Sequence, residues 1–140
     1  MSIVRLDIPD ARALDLFAGS GALGLEALSR GAATADFVEN HPRSLRALKD
    51  NIEVLGAGEL ARVHRADALA FIETLGANAY DIAFADPPYR LGLAAAVATR
   101  WKAAPFAPVI GIEHAAKEEM PDGGDMRRYG DTAITFYRSE

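Results

Sequence analysis

Residues 12–24 read RALDLFAGSGALG, and this stretch decides the fold. The apolar run from Arg12 to Phe17 is typical of a buried strand, and glycines follow it at once. Ser20 is placed to cap a helix that we expect from about Gly21 to Arg30, with Gly31 as its stop. Glycines at 19 and 21 allow a tight turn and a close approach of a ligand to bare backbone. The stretch predicts the first strand–turn–helix unit of an α/β protein, with either a ligand site or a plain tight turn at the glycines.

The rest of the chain alternates in the same way. Strands are predicted over 34–39, 61–66, 80–85 and 108–113, and a hairpin over 126–129 and 132–137 that turns at Gly130-Asp131. Helices are predicted between these strands, and the apolar face of the second is formed by Leu45, Leu48, Ile52 and Leu55. Alternating strands and helices with nearly continuous apolar strands predict an α/β, doubly wound, mostly parallel sheet covered on both faces, with an antiparallel hairpin at one edge.

Composition limits the class of protein. The 140 residues suggest one domain, 1–140, and no run is long and apolar enough for a membrane span. The chain has no cysteine, which excludes disulfides and thiolate metal sites and agrees with a cytoplasmic location. The net charge of -5 does not predict the broad basic face of a protein that grips nucleic acid over a wide footprint.

Polar side chains follow the second and third strands, at the edge where a doubly wound sheet binds ligands. Glu39 lies 20 residues after Gly19 and can accept hydrogen bonds from the ribose hydroxyls of an adenosine, in NAD and S-adenosylmethionine alike. Asp67, followed by Ala68, can accept from an adenine amino group or can simply cap a helix. The alternative for Glu39 is an ordinary exposed residue at a strand end.

The sequence Asp86-Pro87-Pro88-Tyr89 follows the fourth strand and carries the most specific chemistry. An exocyclic base amine is a poor nucleophile, and acceptors aimed at its hydrogens expose the nitrogen lone pair. Asp86 supplies one acceptor, and the Pro87 carbonyl, held by fixed φ angles, supplies another. The Tyr89 ring offers a surface for stacking a displaced base. The alternative is a loop that is merely stiffened by proline.

The remaining polar residues give weaker signals. His41, His64 and His114 show no metal-ligand spacing, so no metal site is expected, and His114 is predicted to lie at the surface. Arg43, Arg46 and Lys49 are predicted to form a solvated helix face, in preference to an RNA track.

Taken together, these motifs resemble the class I S-adenosylmethionine methyltransferases, and more narrowly the RsmD family, which methylates the guanine N2 amine in small-subunit (16S) ribosomal RNA. The matching segments are LDLFAGSGALGLEALSRGA at 14–32, FVEN at 37–40, RADAL at 65–69, DPPY at 86–89 and YGDTAITFY at 129–137. The resemblance implies a Rossmann-like sheet of seven strands with the last hairpin strand inserted antiparallel. It also implies catalytic roles for Asp86, Pro87 and Tyr89, and S-adenosyl-L-methionine binding by Asp15, Phe17, Gly19, Gly21, Glu39, Asn40, Asp67 and Ala68.

The resemblance has further consequences and leaves alternatives open. The expected partner is small-subunit ribosomal RNA or an assembling 30S particle, with the chain acting as a monomer. RsmD-type proteins carry a further N-terminal hairpin and helix, which are expected to be absent because only Met1 to Ala11 precede the first strand. A nicotinamide dehydrogenase remains an alternative on the strength of the glycine spacing and Glu39, and so does a binding module without catalysis.

Overall fold

A computed structural model describes residues 6–89 and 92–139. The described strands are β1 Arg12–Leu16, β2 Thr34–Glu39, β3 Ala61–Arg65, β4 Ile82–Ala85, β5 Val109–Ala115, β6 Asp125–Tyr129 and β7 Thr132–Arg138. The described helices are α1 Ala22–Ser29, α2 Pro42–Val54, α3 Ala68–Glu73 and α4 Leu93–Ala103. These elements agree with the predicted order of strands and helices.

The strands form one seven-stranded sheet in the order β3-β2-β1-β4-β5-β7-β6. Strands β1 to β5 run parallel, and β7 lies antiparallel between β5 and β6. The predicted fold class is therefore confirmed, including the insertion of the last strand. The strand order reverses between β1 and β4, so a crevice opens at the carboxyl ends of these two strands.

Alternate residues along β1 build two different cores. Ala13 packs on the α1 and α2 side together with Phe37 and Phe84. Leu14 and Leu16 pack on the opposite side, among the apolar residues of α3 and α4. Each large side chain buried in this way stabilises the fold by about 1.5–3 kcal/mol relative to exposure. Burial on both faces explains why the central strands are nearly continuous apolar runs.

Close packing under the glycine loop overturns the predicted role of Ser20. Helix α1 begins after Gly21, which has φ +90° and provides no side-chain cap. A Cβ at Gly21 would lie 2.4 Å from Leu48 Cδ1, and a Cβ at Gly24 would lie 2.3 Å from the Phe37 ring. The left-handed backbone favours glycine at position 21, and because Gly21 is the N-cap of α1, the cap prediction for Ser20 is wrong.

Two burial predictions are also wrong. Leu55 is 64% exposed because α2 ends at Val54 and the chain leaves the sheet there. His114 is fully buried, since β5 is covered by β4 on one side and β7 on the other. Its ring nitrogens are paired with Thr135 Oγ1 at 2.7 Å and the Ala115 carbonyl at 2.8 Å. No helix within residues 6–89 and 92–139 has the length and apolar character needed to cross a membrane.

Candidate active site

A cavity of about 640 Å³ opens at the carboxyl ends of the central strands. We call it the main cleft. Its described lining combines the loop after β1, the turn between β2 and α2, the corner after β4 and the end of β5. The lining residues are Phe17, Glu39, Asn40, His41, Ser44, Asp86, Pro87, Pro88, Tyr89, Leu93 and Glu113. The fold thus brings the Glu39 motif and the Asp86–Tyr89 motif to one cavity.

The loop after β1 is held in an uncommon backbone conformation. Phe17 has φ +57°, which for a residue with a side chain costs about 1–3 kcal/mol. The conformation persists because Ala18 N–H donates to the Val38 carbonyl at 3.0 Å and Gly21 N–H donates to the Ala18 carbonyl at 2.8 Å. Gly19 also has φ +57°, and a Cβ placed there would meet no atom within 4 Å. Phe17 lines the main cleft, and the glycine keeps open space beside it.

Glu39 links this loop to the start of α2. Its Oε1 accepts the Gly19 N–H at 2.8 Å, and its Oε2 accepts the N–H groups of Asn40 at 3.1 Å and His41 at 2.9 Å. A carboxylate offers about four acceptor positions. The three backbone bonds therefore fix its orientation at the cleft wall and leave capacity for a further donor.

Asp15 lies beneath the loop and is not among the cleft-lining residues. It is 1% exposed, and its Oδ2 accepts the Gly24 N–H at 2.9 Å in the first turn of α1. Burial raises the pKa of the Asp15 carboxyl to about 8, although the hydrogen bond from Gly24 acts in the opposite direction. A side chain of the protein itself thus occupies the end of α1 that a dinucleotide phosphate uses in other α/β proteins.

Asp67 and Ala68 also lie outside the main-cleft lining. Asp67 is the N-cap of α3, and its side chain accepts the Ala70 N–H at 3.0 Å. Ala68 is 4% exposed and belongs to the core under α3 and α4. The helix cap that the sequence allowed as an alternative is therefore present at Asp67.

The corner after β4 forms the opposite wall of the main cleft. Pro87 is buried there, and the Tyr89 ring is 45% exposed. The Tyr89 hydroxyl donates to Glu113 Oε2 at 2.9 Å and lies 3.1 Å from Thr132 Oγ1. Bonds to β5 and to the first residue of β7 thus hold the ring in place while part of its surface stays accessible.

Asp86 follows β4 and Glu113 lies in the neighbouring strand β5, where the two carboxyl groups are close enough to shift each other's pKa. Partial burial, the hydrogen bond to Glu113 and the charge of Glu113 together raise the pKa of Asp86 to about 6. Burial alone would raise the pKa of Glu113, but hydrogen bonds with Asp86 and Tyr89 hold it below its ordinary value. Asp86 is therefore the member of the pair that takes up a proton first as the pH falls, with a pKa of about 6, and Asp86 is mostly ionised at neutral pH.

Sequence reasoning missed Glu113. The predicted fifth strand ends at this residue, at the same sheet edge as the other polar sites, but the sequence pattern assigns no role to Glu113. Glu113 faces the cleft, whereas His114 points into the protein toward Thr135. Side chains alternate between the two faces of a strand, so Glu113 and His114 cannot both face the cleft, and this alternation is the signal that could have identified Glu113. His41, Ser44 and Leu93 also line the cleft without having been predicted there.

The chain is similar in sequence to a known protein family and to rRNA methyltransferases. A family model described as "Conserved hypothetical protein 95" matches residues 1–138. "Ribosomal RNA small subunit methyltransferase D" of Escherichia coli (strain K12) is 49% identical over 86 residues, which are 61% of this chain and 42% of that protein. The chain therefore matches less than half of the length of that relative.

Two further proteins match over more of their length. "Putative rRNA methyltransferase YlbH" of Bacillus subtilis (strain 168) is 33% identical over 138 residues, covering 91% of this chain and 75% of that protein. The solved structure described as "Putative methyltransferase yhhF from Escherichia coli" is 35% identical with a TM-score of 0.82, covering 99% of this chain and 80% of that one. The fold, the strand order and the main cleft thus occur in a chain similar to methyltransferases over nearly its whole length.

Proposed function

The chain belongs to the family of conserved hypothetical protein 95, and from this membership and the main cleft we propose that it is an S-adenosylmethionine-dependent methyltransferase. Its proposed target is the exocyclic N2 amine of a guanine in small-subunit (16S) ribosomal RNA. The expected resemblance to the RsmD family, on which this target depends, is confirmed at the level of the family.

One observation carries the proposal. The main cleft has Glu39 on one wall and the Asp86–Tyr89 corner on the other, within about 640 Å³. Ligand pockets usually measure about 300–1,000 Å³. The cleft is therefore large enough for a nucleoside cofactor and part of a base, side by side.

The residues present fit S-adenosylmethionine. Three carboxyl groups line the cleft, those of Glu39, Asp86 and Glu113, and no Lys or Arg is among the described lining residues. Such a lining favours a ligand with a positive charge, as the sulfonium has. Open space beside Gly19 and the remaining acceptor capacity of Glu39 suit the methionine part and the ribose, respectively. When bound, the cofactor would supply a methyl group that is already activated for transfer.

The rest of the predicted cofactor set divides into two kinds of residue. Phe17 and Asn40 line the main cleft and would contact the cofactor there. Gly21, Asp67 and Ala68 are not among the residues that line the main cleft, and their assignment to the methionine and adenine ends of the cofactor rests on the family resemblance. Asp15 would act indirectly, because its bond to Gly24 fixes the first turn of α1 below the glycine loop.

The proposed mechanism uses the corner after β4 to hold the amine. Asp86 and the Pro87 carbonyl accept the two amine hydrogens and expose the nitrogen lone pair to the methyl carbon. Tyr89 stacks on the guanine after the base has left its neighbours in the RNA, a displacement that is cheapest in loops and bulges. With the cofactor bound, the nitrogen–carbon bond would form as the carbon–sulfur bond breaks and S-adenosylhomocysteine leaves, and the surplus proton on nitrogen would pass to ionised Asp86 or to water.

Glu113 is a positioning residue in this mechanism. It does not need to contact the base, because it accepts the Tyr89 hydroxyl and so holds the Tyr89 ring at the corner, and its carboxyl group shifts the pKa of the neighbouring Asp86. Partial burial of Asp86 together with the neighbouring Glu113 keeps the pKa of Asp86 near 6, which suits a group that is ionised before transfer and takes up a proton afterwards.

The dinucleotide alternative has less support. NAD binding in this type of fold needs free N–H groups at the first helix to hold a pyrophosphate. Here Gly19, Gly21 and Gly24 donate their N–H groups to Glu39, Ala18 and Asp15, respectively. Two of these acceptors are side chains that would have to withdraw before a phosphate could bind.

A methyl-transfer assay tests the proposal. Tritiated S-adenosylmethionine is incubated with the chain and with 30S particles, or naked 16S RNA, from cells that lack this protein. We expect label in a single guanine of 16S RNA, and less than one hundredth of that label with Asp86→Ala. Equal labelling by the two proteins would overturn the assignment of the site, and labelling of protein only would overturn the target. An RNA substrate also implies a cytoplasmic location, and we propose that the chain acts as a monomer.

A further inference from the structure

A second cavity lies on the other side of Tyr89. It has a volume of about 560 Å³, and its described lining residues are Tyr89, Ala115, Ala116, Lys117, Arg128 and Asp131. We call it the hairpin cavity, because the turn after β5 and the β6–β7 hairpin form its walls. Tyr89 lines both this cavity and the main cleft. Whatever stacks on Tyr89 therefore has a neighbouring cavity within reach.

Backbone hydrogen bonds tie the walls of the hairpin cavity together. The Ala116 N–H donates to the Asp131 carbonyl at 2.8 Å, which joins the turn after β5 to the hairpin. The turn itself is fixed by the Ala115 N–H, which donates to Glu118 Oε1 at 3.0 Å. Tyr89 is held against the same hairpin through Thr132. The cavity is thus formed by three segments that hydrogen bonds hold together: the turn after β5, the β6–β7 hairpin and the corner at Tyr89.

The two cavities differ in charge. The main cleft has carboxyl groups on its walls, whereas the hairpin cavity has the cations Lys117 and Arg128 with one carboxyl group, that of Asp131. Arg128 Nε donates to the Gly130 carbonyl at 3.1 Å. This bond fixes the plane of the guanidinium, whose terminal N–H groups are well suited to a phosphate.

We propose that the hairpin cavity is a subsite for the nucleotide next to the target guanine in single-stranded RNA, with its phosphate on Lys117 and Arg128. The inference rests on the proposed function, because it places the target base on Tyr89. A base that leaves its stack must draw its backbone with it, and the flanking phosphate then needs positive charge close to Tyr89. The volume of the cavity and its two cations meet that need. The chain can therefore bind RNA locally despite its net charge of -5.

Arg127 provides a matched control for this proposal. It is adjacent to Arg128 on β6, so the two side chains point to opposite faces of the sheet. Arg127 forms an ion pair with Asp125 at 3.3 Å and does not line the hairpin cavity. Replacing either arginine removes the same charge, but only Arg128 would remove a phosphate contact.

The test measures binding of a fluorescent single-stranded RNA that contains guanine, by anisotropy at several salt concentrations. The proteins are wild type, the double variant Lys117→Gln with Arg128→Gln, and Arg127→Gln, each checked for an unchanged melting temperature. We expect the double variant to bind at least about tenfold more weakly and to lose about 1.4 from the salt slope, since each phosphate on a single strand contributes about 0.7. Arg127→Gln should bind like the wild type.

Other outcomes overturn the inference. It fails if the wild type does not bind the RNA, if the double variant binds like the wild type, or if Arg127→Gln weakens binding as much as the double variant does. If the double variant and Arg127→Gln differ as expected while no methyl transfer occurs, the subsite stands and the proposed function fails. If methyl transfer occurs and the KM for RNA is the same in the double variant, the proposed function stands and the subsite fails.

Discussion

Glu39 and Asp86 are both acidic residues at the carboxyl end of a strand, and the protein treats them in opposite ways. Glu39 is surrounded by donors, the backbone N–H groups of Gly19, Asn40 and His41. Asp86 is partly buried and faces another carboxyl group, that of Glu113, and both effects raise the pKa of Asp86. The first arrangement gives a fixed acceptor that holds a ligand. The second gives a group whose protonation changes near physiological pH, as proton transfer requires. Residue type and strand position alone do not distinguish the two roles.

The largest expected effect comes from removing Asp86. Asp86→Ala should lower kcat by about 10²–10³-fold, because a preorganised acceptor of the amine is lost. The affinity for S-adenosylhomocysteine, measured by calorimetry, should change little, since Glu39 and the glycine loop remain. Asp86→Asn is the matched control of similar size, and it should also be slow because an amide does not accept the proton. A variant that turned over at the wild-type rate would remove Asp86 from the chemistry.

Removing Glu39 should mainly change cofactor affinity, whereas removing Asp86 should mainly change kcat. Glu39→Ala should weaken S-adenosylhomocysteine binding by about 10- to 150-fold, equivalent to about 1.5–3 kcal/mol for hydrogen bonds to a charged group. Loss of the three backbone contacts should also lower the melting temperature. Glu39→Gln retains a carbonyl acceptor, and its affinity for S-adenosylhomocysteine should lie between those of the wild type and Glu39→Ala. Unchanged affinity in calorimetry for the alanine variant would show that Glu39 does not contact the cofactor.

A smaller effect is expected from the Tyr89 hydroxyl. Tyr89→Phe keeps the ring for stacking and removes the bonds to Glu113 and Thr132. Loss of hydrogen bonds worth about 0.5–1.5 kcal/mol each should raise KM for RNA by a few fold and leave cofactor affinity unchanged. Tyr89→Ala removes the ring as well and should raise KM for RNA further in the same steady-state assay. Equal KM values for the two variants would argue against stacking on Tyr89.

The smallest effect is a shift in pH dependence. Asp86 must be ionised to accept from the amine, so kcat should rise with pH through about pH 6, the raised pKa of this group. Glu113→Gln removes one of the causes of the raised pKa of Asp86. The midpoint of the kcat–pH profile should therefore move to lower pH by up to about one unit, within the range of ordinary pair interactions. Burial, the larger cause, remains and limits the shift. A midpoint that stayed in place or moved upward in the kcat–pH profile would contradict the pairing of Asp86 with Glu113.

The sequence predicts the fold well because the information is local. The apolar strands, the helix spacing around Leu45, Leu48 and Ile52, and the turn at Gly130-Asp131 each lie within one short window. Errors occur where distant segments meet. The cap at Ser20 fails because the N-cap of α1 is the next residue, Gly21, which has φ +90° and packs against Leu48.

The site shows the same division between local and distant information. Asp86, Pro87 and Tyr89 are recognisable as a motif and do lie together at the cleft. The partner of this motif, Glu113, is separated from Tyr89 by 24 residues and reaches it only through the pairing of β4 with β5. His114 was misplaced for the same reason, since its burial depends on a strand that comes later in the chain. Side-chain alternation along β5 places Glu113 and His114 on opposite faces. Which of the two faces the cleft is known only once the order of the strands in the sheet is known.

A crystal structure with S-adenosylhomocysteine bound tests the central claim most directly, namely that one cavity holds the cofactor and the amine-binding corner together. We expect a ribose hydroxyl on Glu39 and the sulfur directed across the main cleft toward Asp86 and Tyr89. A ligand bound outside this cleft, or a sulfur that faces away from Asp86, would contradict the account.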